Sequence, residues 1–83
     1  MTRTSRQNGR LAVQLEDAAR CLADLAARGA NVKGVHVGLH PRPLINVDRP
    51  PRDLHGGTVR IRANSRTYAA LHMGCQVEWR TPR

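Results

Sequence analysis

Residues Leu11 to Leu39 read LAVQLEDAARCLADLAARGANVKGVHVGL, and inside this stretch the hydrophobic period changes from that of a helix to that of a strand. Leu11, Leu15, Ala18, Ala19, Leu22, Leu25 and Ala26 fall at steps of three and four, which places them on one helical face. Asn8 suits an N-cap, Gly29 the left-handed position after a helix, and Arg28 the negative end of the helix dipole. The spacing predicts a helix over 9–28. On its other side Glu16 and Arg20, Arg20 and Asp24, and Asp24 and Arg28 alternate in sign four residues apart. That side is nearly neutral, so the excess positive charge of the chain lies elsewhere.

Beyond Gly29, Val35, Val37 and Leu39 alternate with His36, Gly38 and His40, the pattern of a half-buried strand. His40-Pro41-Arg42-Pro43 ends it, because Pro41 and Pro43 lack an amide hydrogen and restrict the residue before them. The chain resumes as a strand over Leu44 to Val47 and stops again at Arg49-Pro50-Pro51. A turn-rich connection, Asp53 to Gly57, leads to a strand from Thr58 with Val59, Ile61 and Ala63 on its inner face. Asn64-Ser65-Arg66 is a turn. Thr67 to His72 and Cys75 to Arg80 form a hairpin around Met73-Gly74, with Cys75, Val77 and Trp79 inward.

One helix followed by four or five short antiparallel strands predicts an α+β domain in which the helix covers one sheet face and leaves the other open. The open face would carry Arg60, Arg62, Gln76, Glu78 and Arg80, joined by His36 and His40 if the first strand belongs to the same sheet. Residues 1–10 contain Arg3, Arg6 and Arg10 among small polar residues and read as a flexible basic arm, leaving 11–83 as a single domain.

With 83 residues, the chain has room for one modest core rather than a large enclosed active site. Apolar residues make up 40%, too many for a disordered tail, and no apolar run approaches the ~20 residues of a membrane span. No signal core is visible, so a cytoplasmic location and no membrane contact are expected. The two cysteines, Cys21 and Cys75, show no disulfide-framework spacing, which points to a reducing compartment.

Chemistry at a site is disfavoured on spacing. His36 and His40 on one strand would stand about 13 Å apart, too far for one zinc ion. His55, His72, Cys21 and Cys75 would have to converge from separate elements, and they read more simply as structural or surface residues. Cys75 alternates with core residues, and its neighbour His72 lies across a turn. The six acids are interleaved with arginines and prolines. The expectation is no enzyme, no catalytic residue, no metal and no cofactor.

Charge is the feature left to interpret. Fourteen basic residues against six acidic give +8, and 13 of the 14 are arginine, with Lys33 the exception. Guanidinium groups are always charged and fork onto carboxylate or phosphate, so an acidic partner is expected. The candidate contact residues are Arg60, Arg62, Arg66 and Arg80 on or beside the C-terminal hairpins, and Arg42, Arg49 and Arg52 on the proline-bearing connections. Two partner classes follow: a host protein or nucleoprotein complex, or the DNA or RNA backbone directly. Tyr68 and Trp79 are the whole aromatic complement, too few for base stacking, so nucleic-acid contacts would be to phosphates. Monomer and homodimer both fit.

LADLAARG (22–29), VHVGLHPRPLINV (35–47), Pro50-Pro51 and GCQVEW (74–79) resemble small, uncharacterised accessory proteins of temperate bacteriophages of GC-rich proteobacteria. The resemblance covers about two-thirds of the chain, from Leu22 onward, and carries over no catalytic residue. It implies an intracellular, non-enzymatic viral protein. Proteins of that kind include inhibitors of host machinery, anti-CRISPR proteins among them, which cover a partner-binding or nucleic-acid-binding surface.

Overall fold

The computed structural model describes residues 6–38 and 40–82. It contains one helix, α1 (Arg6–Ala27), and five strands: β1 (Val32–His36), β2 (Leu44–Val47), β3 (Gly57–Ile61), β4 (Ser65–His72) and β5 (Cys75–Pro82). The architecture is the α+β fold expected, a helix on one sheet. The helix starts three residues earlier than its spacing predicts. It therefore takes in Arg6 to Arg10 of the expected arm, and the rest of that arm, 1–5, lies outside the described residues.

The helix ends where the sequence says it should. Gly29 adopts φ 80°, the Gly29 amide donates to the Ala26 carbonyl, and the Ala30 amide donates to the Leu25 carbonyl. That pair of bonds is the Schellman arrangement, which glycine permits at no steric cost. Ala30, now buried, turns the chain under the helix into β1.

The sheet order is β1-β2-β5-β4-β3. Three of the four pairings are antiparallel, but β2 and β5 run parallel, with Ile45 opposite Val77. The wholly antiparallel sheet expected from the sequence is corrected here, and the cause is the connection after β2. Its prolines carry the chain to the far edge of the sheet, so the β3–β4–β5 meander returns to β2 in the same direction as β2. On the way the connection lies over the helix-side face: Pro51 is buried, Leu54 packs against the core, and a Cβ on Gly56 would lie 2.7 Å from the Trp79 ring.

Cys21 and Leu25 of α1 pack with Ile45, Val47, Ala70, Cys75, Val77 and Trp79 of the sheet, and Ala18 is buried as well. Tyr68 stacks on Trp79 with ring centroids 6.0 Å apart. The buried stripe of α1 is rotated from the expected one. Gln14 is buried where Leu15 was expected, and Leu15 is 56% exposed. The reason is a polar anchor: Gln14 donates to the His40 carbonyl at 3.1 Å and accepts from the Gly38 amide at 2.8 Å, tying the β1–β2 connection to the helix.

Candidate functional site

The face of the sheet turned away from α1 is the open one. Paired residues of neighbouring strands share a face, so the partnership of Arg60 with Thr67, and of Thr67 with Arg80, sets these three in a row across β3, β4 and β5. Thr67 is small and buried, and the two arginine side chains stand on either side of it. Arg42 reaches the same region from the Pro41–Pro43 turn. Together Arg42, Arg60 and Arg80 line a cleft of about 460 Å³, with His40, Asn46, Gln76 and Glu78 completing its walls. None of the three guanidinium groups has a hydrogen-bond or ion-pair partner among the described residues. Gln76 donates to Glu78 at 2.7 Å, which fixes the one carboxylate of the cleft. His36 shares this face and meets the Asn46 side chain at 3.3 Å.

The other four candidate arginines do not join this cleft. Arg49 is held by Asp48 at 3.0 Å, where the Asn31 amide and Arg49 together lower the Asp48 carboxyl to about 2. Arg52 donates to the Ala27 carbonyl and so caps the helix end, while its own carbonyl accepts from Arg28 at 2.8 Å. Arg66 pairs in register with Ile61 and Thr81 on the helix-side face. Its guanidinium, beside Tyr68, lowers the phenol from its ordinary range. Arg62 lies in the β3–β4 turn, its amide donating to the Ser65 carbonyl at 2.8 Å. Of the seven candidates, three converge on this cleft, while Arg49, Arg52 and Arg66 are each engaged elsewhere on the molecule.

One exposed apolar residue on the open face, Val59, was not expected there. A register shift between Thr58 and Arg60 places a bulge at Val59, which leaves it 57% exposed instead of inward. Val59, Ala69, Leu71 and Gln76 line a shallow depression of about 240 Å³. Ile61, opposite Arg66, keeps the helix-side face expected of it but is exposed at the sheet edge.

The cysteine and histidine cluster is internal. Cys21 donates to the His72 carbonyl at 3.8 Å, not to its ring, and burial with Cys75 alongside pushes the Cys21 thiol up to about 12. Cys75 is likewise raised by burial. A thiol so raised carries little thiolate, the nucleophilic form. The His72 ring instead meets Asp24, which Arg28 and then His72 hold below the usual carboxylate range. No group of three metal-ligating side chains forms among the described residues, and no helix there is long and apolar enough to cross a membrane.

A family model, that of the Kil protein family, matches residues 4–80, from within the expected arm to Arg80 at the end of the Arg60–Thr67–Arg80 row. The chain belongs to the Kil protein family. No curated protein and no solved structure matches it. The Kil family assignment indicates a phage-type accessory protein, in line with the resemblance drawn from the second half of the helix onward. It also extends that likeness N-terminally from Leu22 to residue 4, through the greater part of α1.

Proposed function

We propose that this Kil-family chain is a non-enzymatic binding protein that sets its open sheet face against an acidic surface of a host macromolecular complex in the bacterial cytoplasm and inhibits that complex. Family membership, which suggests a small phage protein acting on its host, supports the setting. The observation that carries the mode of action is the contrast among arginines. Arg20, Arg28 and Arg49 are neutralised by Asp17, Asp24 and Asp48, while Arg42, Arg60 and Arg80 face one cleft unpartnered. Unpaired guanidinium groups gathered on a rigid sheet are preorganised for carboxylates and repel basic surfaces. Nucleoprotein defence complexes, the targets of anti-CRISPR proteins, are one class of target within this reading.

The test is affinity capture from host lysate with the wild-type chain and with the double variant Arg60→Glu/Arg80→Glu, each with and without nuclease. A stable protein complex retained by the wild type after nuclease treatment, and lost by the variant, is the expected outcome. Capture by the variant equal to that by the wild type would sink the proposal, and so would loss of all capture on nuclease treatment.

A further inference from the structure

Resting on that reading of the open face, we infer that the element it accepts is a peptide segment bearing an acidic side chain and, about three residues away, an aliphatic one. Three observations converge on this chemistry. The cationic cleft and the depression at Val59, Ala69 and Leu71 both include Gln76, so they form one continuous surface. Leu71 is 67% exposed and Val59 57%, and covering them with another aliphatic group removes apolar area from water. A phosphate backbone offers nothing to this patch.

Glu78 supplies the second discrimination. Its carboxylate sits in the cleft among Arg42, Arg60 and Arg80, where it repels a chain of phosphates but accepts a peptide amide hydrogen. A peptide carries both the acid that the arginines bind and the amide that Glu78 binds. Geometry gives the spacing. Along β4, Leu71 of the depression lies four residues from Thr67 of the arginine row, about 13 Å, and the reach of the arginine side chains shortens that gap to about three extended residues.

The experiment pans a displayed library of random dodecapeptides against the wild-type protein, then measures the best-enriched peptide by fluorescence anisotropy. The same peptide is measured on Arg60→Glu/Arg80→Glu and on Val59→Ser/Leu71→Ser. These side chains are exposed, and a thermal melt of each variant checks that it folds; Leu71→Ser alone serves if the double variant does not. Enriched sequences should pair Asp or Glu with Leu, Ile or Val about three positions away, and each variant should weaken binding about tenfold or more. Enrichment of acids without the aliphatic partner, or unchanged affinity on the serine variant, overturns the inference. Displacement of the peptide by a random 20-base-pair duplex, with duplex affinity insensitive to the serine changes, would identify a nucleic-acid face instead. In the lysate capture, a complex lost by the glutamate variant but retained by the serine variant leaves the proposed function standing while removing this inference. A complex retained by both removes the function itself.

Discussion

Among individual residues, Gly56 and Gly57 are neighbours with opposite tolerance. A Cβ on Gly56 would come within 2.7 Å of the Ala69 carbonyl oxygen and of the Trp79 ring, one of which is strand backbone that cannot swing aside. A Cβ on Gly57 meets nothing within 4 Å. Gly56→Ala should therefore cost about 1–3 kcal/mol in urea denaturation, and Gly57→Ala within about 0.5. Equal midpoints for the two would contradict the close approach of this connection to Trp79. The sequence identifies Gly56-Gly57 as a turn into a strand but not which glycine is pressed against the core, because that depends on a ring 23 residues away in the chain. Asp48 has a different test. Its carboxyl is lowered from 3.8 to about 2 by the Asn31 amide and Arg49, so the folded state binds its proton less readily than the unfolded one. Its stabilisation is complete above about pH 4 and fades as pH falls toward 2. Asp48→Asn should flatten that part of the stability curve, with Asp24, also lowered, supplying the remaining slope. An acid limb as steep in the variant as in the wild type would mean that Asp48 is not the source.

For the elements, the helix, its Schellman stop, the β4–β5 hairpin and its two-residue turn were all legible, because each is decided by residues close together in the chain. Met73 and Gly74 sit at φ 51° and 81° between paired His72 and Cys75, as a turn of that length demands. Three features were not legible: the rotation of α1, the bulge at Val59 and the parallel β2–β5 pairing. The rotation and the parallel pairing are set by contacts between residues distant in the chain, and the bulge by a one-residue register shift; none leaves a periodic trace. The rotation is the most exposed to test. Hydrophobic spacing counts Leu15 and Leu25 as equivalent, whereas Leu25 is fully buried and Leu15 mostly exposed, because Gln14 takes the inward place to hold Gly38 and His40. Leu25→Ala should cost about 2–5 kcal/mol by lost burial and cavity formation. Leu15→Ala should stay within about 0.5 kcal/mol. Comparable losses from the two would restore the face read from spacing and contradict the Gln14 anchor.

Over the whole molecule, net charge and charge placement give different predictions, and salt dependence separates them. A formal charge of +8 creates an attractive field for any polyanion, so weak affinity for DNA is expected whichever face is functional. Composition gave that much, and it pointed to seven arginines of equal standing. Only Arg42, Arg60 and Arg80 share the open cleft, and they share it with Glu78. If the cleft were a phosphate site, Arg60 and Arg80 would each neutralise a phosphate, and replacing both would shallow the log–log salt slope for duplex binding by about 1.8, at about 0.9 per contact. If the cleft takes an acidic peptide, duplex binding is diffuse and spread over many cations. Removing two of them while adding two carboxylates then lowers affinity without removing two discrete ion-release steps. The expected result for Arg60→Glu/Arg80→Glu, titrated against a random duplex between low and physiological salt, is a lower intercept with a slope altered by much less than 1.8. A slope shallower by the full two-contact amount would move the open face from protein recognition to nucleic acid, because only phosphates seated on those two guanidinium groups release counterions in that proportion.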